Sequence, residues 1–337
     1  MSNIHRQLNT HKRQYVSNTG GMKTHQVGII GLGTVGARFV EQFNLHERFE
    51  LSACWDASAD ARARFAETEN VVDTAQAVIA NCDVVYIAVP PAAHATYVEQ
   101  AVAAGCAIFC EKPLGVDIPE SEHILQLVES SGLPSAINYV FGSAPSAVEL
   151  ARRVSNGELG DISSAEFMMH LTEWPRAWQA AATWLAEAEE GGWIREVGSH
   201  YVFLAQRLFG EVSLEQCLVR RPAPHLAENL VTARLTTSPT PFTMHCESGS
   251  AGIDSLMFTV RGSRQSMRIV DWYNVEATDA DGNWATVEIA ATPSAPWAAY
   301  RAQLDGLAAM LDGEEHHLPT FAEALGVQRV IEGILST

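Results

Sequence analysis

A glycine-rich turn, Gly31-Leu32-Gly33-Thr34-Val35-Gly36, stands between an apolar run and a stretch of helical spacing, and few folds are open to a chain that carries it there. The apolar runs Gln26 to Ile30, Glu50 to Trp55, Asp83 to Val89, Cys106 to Cys110 and Pro134 to Tyr139 read as buried strands. Between them, Thr34 to His46, Ser58 to Glu67, Ala92 to Ala104 and Asp117 to Ser131 read as helices. Strand and helix alternating in this way predict a parallel sheet wrapped on both faces.

The pattern changes after about Pro145. A helix over Ala147 to Asn156, a strand over Ile162 to His170 and a Trp-rich helical section up to Phe209 lead into successive strand-like segments. These are Leu214 to Arg220, Asn229 to Leu235, Phe242 to Glu247, Ser255 to Arg261, Ser266 to Val270 and Ala285 to Ile289. Strands without helices between them predict a large, mainly antiparallel open sheet. Two helices, Pro296 to Leu311 and Phe321 to Leu335, follow. The expected fold class is therefore α/β. It divides into a leader over residues 1–24, a Rossmann domain over 25–145 and a second α/β domain over 146–337 for substrate binding and oligomerisation.

The turn has the G-x-G-x-x-G spacing of a dinucleotide-binding loop. Gly31 permits the tight turn, Gly33 lets a pyrophosphate approach the backbone, and Gly36 lets the helix pack on the strand. Thr34 and Val35 sit at the helix N-terminus that faces the phosphates. Asp56 follows Gly36 by 20 residues, at the end of the second strand. A carboxylate there accepts hydrogen bonds from ribose hydroxyls and repels a 2′-phosphate, so NAD(H) is the expected cofactor and NADP(H) the disfavoured one.

Two further strand ends carry Val89-Pro90-Pro91 with His94 beyond, and Cys110-Glu111-Lys112-Pro113 followed by Leu114 and a helix. With the glycine loop, these residues make the chain resemble the glucose-fructose oxidoreductase, inositol dehydrogenase and rhizopine-catabolism protein family (Gfo/Idh/MocA). The resemblance runs on through Gly157-Glu158-Leu159-Gly160, Gly191-Gly192 and the helix Ala324 to Glu332. It implies cofactor contacts by Gly31, Gly33, Thr34, Val35, Gly36, Asp56, Pro90, His94, Glu111 and Lys112, with Glu111 and Lys112 at the nicotinamide end. It also matches the family's acid and histidine to Glu196 and His200, four residues apart on a helix spanning Trp193 to Gly210 and thus on one face. The family's acid is more usually aspartate, and Glu196 is one methylene longer. Many relatives have a basic pair where this chain has Asn138-Tyr139-Val140-Phe141-Gly142.

His200 suits a proton acceptor because its ordinary pKa is near neutral, and Glu196 is placed to orient it. Lys112 would polarise the substrate oxygen. Trp174, Trp178, Trp184 and Trp193 crowd the section before His200; they suit a partly aromatic pocket or ordinary core packing, and Arg176 and Arg195 are candidates to meet an anion. His316-His317 reads as a solvated turn.

Composition narrows the partners. With 22 Lys plus Arg against 40 Asp plus Glu, the net charge of −18 argues against nucleic acid as a partner. The longest apolar stretch, Val84 to Ala93, is far shorter than the ~20 residues that cross a bilayer and contains two prolines. Neither membrane nor metal is expected. Six cysteines without a C-x-x-C pair read as reduced core thiols, Cys106 and Cys110 included. Residues 1 to 40 hold no acid, and Met1 to Lys23 shows no apolar periodicity. That reads as a disordered leader or an over-long start, with Met22 as the natural first residue. The expectation is a cytoplasmic homodimer or homotetramer acting on a small-molecule substrate. It would be an NAD(H)-dependent oxidoreductase moving hydride between nicotinamide and a carbinol or carbonyl carbon of a sugar, cyclitol or related molecule. An imine or enone reductase, or a non-catalytic NAD-binding sensor or corepressor, is the alternative.

Overall fold

The computed structural model describes residues 23–180, 182–289 and 295–337; the leader up to Met22 lies outside them. Five parallel strands, β1 (His25–Ile30), β2 (Phe49–Trp55), β3 (Val84–Ile87), β4 (Ala107–Cys110) and β5 (Ser135–Ile137), pair in the order β2-β1-β3-β4-β5. Every residue of β3 and β4 is buried, which is why both read as unbroken apolar runs. The connections carry α1 (Thr34–Leu45), α2 (Ala59–Ala63), α3 (Ala75–Ile79), α4 (His94–Ala104) and α5 (Ile118–Ser131). The strand order reverses between β1 and β3, and the crevice beyond their carboxyl ends is where an open α/β sheet takes a ligand.

Two local differences from the sequence reading have short-range causes. The helix expected over Ser58 to Glu67 is a five-residue piece capped by the Ser58 hydroxyl. The helix α3, capped by Thr74 and also five residues long, is too short to show a period.

The second unit begins with α6 (Pro145–Ser155) and is built on eight strands. They are β6 (Ile162–Leu171), β7 (Ser213–Arg220), β8 (Leu230–Thr236), β9 (Pro241–Ser248), β10 (Ser255–Gly262), β11 (Met267–Val270), β12 (Asn274–Thr278) and β13 (Trp284–Thr286), in the order β13-β12-β11-β10-β6-β9-β8-β7. All neighbours are antiparallel except β6 and β9. The sequence reading missed β12 and placed β13 too late. One face of the sheet packs on α7 (Ser199–Phe209), where Tyr201 stacks on Phe167 of β6 with centroids 3.8 Å apart.

The last two helices, α8 (Ala295–Asp312) and α9 (Phe321–Leu335), cross the division expected at residue 145. Leu304 and Leu307 of α8 share a core with Phe39 and Phe43 of α1. Asp305 meets His46 and Asp312 meets His25, each at 3.0 Å. After α8, Pro319 accepts a hydrogen bond from the backbone of Ile137 at 2.8 Å, covering the free edge of β5. The C-terminal chain therefore returns to the first sheet.

Candidate active site

A cleft of about 380 Å³ opens at the strand-order reversal. One wall is Gly33, Thr34 and Val35. Gly31 turns with φ +100°, and a Cβ there would stand 2.2 Å from the carbonyl oxygen of Ala88, so only glycine fits. Gly33, by contrast, faces open space. It occupies the N-cap of α1 with no side chain capping the helix, which leaves the first N–H groups free to meet an anion. This uncapped helix over an open glycine is a fit for a dinucleotide pyrophosphate.

Asp56 ends β2 beside the loop, its two carboxylate oxygens accepting from the backbone N–H groups of Leu32 at 2.6 Å and Ser58 at 2.7 Å. Two guanidinium groups stand next to it: Arg62 donates to the carbonyls of Asp56 and Ala57, and Arg64 to that of Leu32. Arg62 lies in α2, and Arg64 is the residue that ends it.

Pro90 lines the cleft. His94 does not. It is fully buried behind the wall, with one ring nitrogen 3.0 Å from the carbonyl of Val89 and the other 2.9 Å from that of Pro113. Burial lowers its pKa, and a neutral ring can donate to only one of the two oxygens. Its place is that of a strut between the loops after β3 and β4, not a cofactor contact.

The loop after β4 delivers Glu111 and Lys112 into the cleft. Glu111 accepts from the Tyr86 hydroxyl and from Asn138 Nδ2 (2.6 Å), and burial raises its pKa against those hydrogen bonds. Lys112 Nζ donates to the Glu196 backbone carbonyl at 3.0 Å and to the Glu196 carboxylate. This corrects the sequence reading, in which Glu196 orients His200. The carboxylate instead holds the lysine.

Glu196 and His200 both line the cleft, but not from one continuous α-helix. A π-helical turn, Ile194–Gly198, precedes α7, and such turns recur at functional sites. Its start is set by Gly192 (φ +99°), where a Cβ would collide with the Glu228 carboxylate at 2.4 Å; that carboxylate accepts the Ile194 N–H at 2.7 Å.

His200 sits in an aromatic box, with ring centroids 5.3 Å from Tyr139, 6.4 Å from Phe141 and 5.2 Å from Trp272. Among the described residues its Nδ1 has no partner. Burial, and then the nearby Lys112 charge, hold its pKa well below the usual histidine value, so the ring is neutral at pH 7. Trp272 and Tyr273, both on the cleft, were not found from sequence. They project from a turn in which Asp271 and Trp272 have positive φ, 46° and 73°, a strained setting no local motif announces.

The expected Trp-rich helical section up to Phe209 is helical only in its later part, α7; its front holds, among the described residues, the 3₁₀ turns Ala177–Gln179 and Thr183–Ala186, which form the far wall. Arg176, Trp178 and Trp184 line the cleft, whereas Trp193 is core, donating to the Ser248 hydroxyl at 3.1 Å. Arg195 is engaged within the chain: it pairs with Glu332 at 2.7 and 2.8 Å and donates to the carbonyls of Ala188 and Gly191. Among the described residues no group of three His, Cys, Asp or Glu is arranged to hold a metal, and no helix is long and apolar enough to cross a membrane. The neighbour of Cys106 is Cys82, with sulfurs 3.5 Å apart.

A family model described as "Oxidoreductase family, NAD-binding Rossmann fold" matches residues 25–139, and one described as "GFO/IDH/MocA C-terminal domain" matches residues 147–268. Among curated proteins, the chain is 30% identical over 149 residues to the myo-inositol dehydrogenase Hyg17 of Streptomyces leeuwenhoekii, covering 43% of this chain and 45% of that one. It is 28% identical over 192 residues to the trans-1,2-dihydrobenzene-1,2-diol dehydrogenase of Macaca fascicularis, covering 54% and 55%. The alignments thus span about half the length of these relatives. Among solved structures, an oxidoreductase from Agrobacterium radiobacter in complex with NAD+, L-tartaric acid and magnesium superposes with a TM-score of 0.79 at 18% identity, over 93% of this chain and 96% of that one.

Proposed function

Since the chain belongs to the Gfo/Idh/MocA oxidoreductase family, with its NAD-binding Rossmann domain and its companion C-terminal domain, we propose that it transfers hydride between a nicotinamide cofactor and a carbinol or carbonyl carbon of a small sugar, cyclitol or related ring compound. The observation that carries this reading is the meeting of Lys112 and His200 in the cleft whose other wall is the glycine loop. The inositol and diol dehydrogenases among its relatives support a CH–OH substrate.

Gly33, Thr34 and Val35 would hold the pyrophosphate, Asp56 the adenosine ribose, and Glu111 and Lys112 would border the nicotinamide. The bound nicotinamide would accept or supply the hydride. Lys112 spends two of its three donors on Glu196, leaving one for the substrate oxygen. His200, neutral and hemmed by aromatic rings, takes the hydroxyl proton during oxidation and returns it during reduction. Glu196 keeps the ammonium group in place between those two events. The assembly favoured is a homodimer or homotetramer.

NAD(H) is the proposed cofactor, because a 2′-phosphate would meet the Asp56 carboxylate. Arg62 and Arg64 oppose that preference only if they leave the carbonyls they now hold. Titration with each reduced cofactor tests it: NADH should bind more tightly than NADPH, and the reverse order would show that the guanidinium groups turn toward the phosphate. Purified protein supplied with polyols and cyclitols plus NAD+ should produce NADH absorbance. Binding of NADH without turnover of any carbinol or carbonyl compound would overturn the enzymatic reading in favour of a sensor.

A further inference from the structure

Three cations line the cleft: Arg38, Lys112 and Arg176. Two are accounted for. Arg38 donates to the Tyr300 hydroxyl at 2.6 Å and lies over that ring at 5.7 Å. Lys112 is held by Glu196. Arg176 differs, because its one side-chain hydrogen bond is from Nε to the neutral Gln179 amide oxygen at 3.0 Å. Among the described residues no carboxylate comes within ion-pair distance of it, and neither terminal nitrogen has a partner.

The carboxylates that act on Arg176 do so only through space, and both are engaged elsewhere. Glu196 is bound to Lys112, and Asp254 accepts from the backbone and hydroxyl of Thr172 at 2.8 Å each. The guanidinium is gripped instead by two indoles, Trp174 at 5.6 Å and Trp178 at 4.8 Å from ring centroid to Cζ. Burial works against its charge. In a chain of net charge −18, where a carboxylate partner would be easy to supply, a half-buried arginine on the cleft wall without one is left available to an anion. The planar fork with both terminal amino groups free is suited to an oxyanion with two oxygens.

We propose that Arg176 is the anion receptor of this site and that the substrate is a hydroxy acid, or the matching oxo acid, whose carboxylate pairs with Arg176 while its reacting oxygen meets Lys112 and His200. This rests on the oxidoreductase reading above and narrows its substrate class. Trp178 and Trp184 then wall the body of the acid, and Gln179 holds the guanidinium in plane.

The test uses the full chain saturated with NAD+ and two matched pairs of probes: galactonate against galactitol, and mandelate against mandelamide. Binding is followed by calorimetry. In at least one pair the acid should bind about tenfold or more tightly than its neutral partner, the scale of a charge-assisted bidentate contact. Arg176→Gln should erase that preference and Arg176→Lys should restore part of it, with NADH affinity and melting temperature held. Equal binding within both pairs, no binding by any probe, or a preference that survives Arg176→Gln would overturn the proposal. So would a large loss of NADH affinity in Arg176→Gln, which would give the guanidinium to the cofactor phosphates. The two readings fail separately. Oxidation of galactitol without any acid preference defeats the Arg176 assignment alone, whereas an Arg176-dependent acid preference without hydride transfer to NAD+ defeats the oxidoreductase reading alone.

Discussion

In the proposed reaction His200 works as a base in surroundings that oppose its charge. Burial and the Lys112 ammonium both favour the neutral ring, so the lone pair that accepts the substrate proton stays available on the acid side of the ordinary histidine range. For alcohol oxidation the sign follows directly: activity falls only when pH drops through the lowered pKa, and the acid limb should lie below pH ~6.5. His200→Asn should remove that limb and lower turnover by roughly 10²-fold, with Lys112→Ala giving a similar loss and little change in NADH affinity. A limb at or above the ordinary value, or full turnover in both variants, would contradict this role. Lys112, His200 and the glycine loop were legible in the sequence because each is tied to a strand end or helix start by spacing. The partner of Glu196, the far end of the His94 strut at Pro113 and the structural pairing of Arg195 with Glu332 were not, since these contacts span 19 residues or more of chain.

Spacing alone suggests one helix from Trp193 to Gly210, yet a π-helical turn precedes α7, and what fixes it is a residue on a distant strand boundary. Glu228 is nearly fully buried, accepts the Ile194 N–H at 2.7 Å, and has its pKa pushed up to about 7, mainly by burial. The folded protein thus retains the Glu228 proton up to pH ~7, while the unfolded chain releases it near the ordinary carboxyl value. Between those two values the folded state binds more protons, so this group's contribution to stability declines as pH rises and its penalty is complete above the raised pKa. Glu228→Gln keeps an acceptor for Ile194 without that titration. Relative to the variant, the native protein should lose about 2 kcal/mol of stability between pH 5 and pH 8 in urea melts. An equal difference at both pH values would show that Glu228 is charged throughout. No sequence pattern couples residue 228 to residue 194, so this element was unreadable in advance. The strands flanking it, by contrast, announced themselves through period-two alternation, as in β8 and β9.

At the scale of the whole molecule, the eight-stranded sheet has one face against helices and one face open. The open face is ordered by register: Leu218, Thr232, His245, Met168 and Met257 form one row across five strands, with Leu218 and Met168 59% and 43% exposed. The next row runs Gln216, Arg234, Thr243, Glu166, the buried Thr259, Arg268 and Glu276, so a strip of Leu, Met, Thr and His side chains lies beside a polar one of mixed charge. Across eight strands spaced ~4.8 Å apart, such a face is roughly 35 Å wide. That is room for the ~800 Å² per partner of a standard interface. A strip carrying Leu218, Met168 and Met257 beside a row holding both signs of charge is compatible with its own two-fold image, where ion pairs now made within the chain, Arg234 with Glu215, Arg261 with Glu166 and Arg268 with Glu276, could be shared with the other copy. Light scattering at micromolar concentration should therefore give the mass of a homodimer or homotetramer. Met168→Glu, which sets a carboxylate into the centre of the strip, should shift that mass toward the monomer while NADH binding, made on the other domain, is kept. A monomeric mass for the unaltered chain would rule out the assembly, and an unchanged oligomer in Met168→Glu would place its contact elsewhere than on this face.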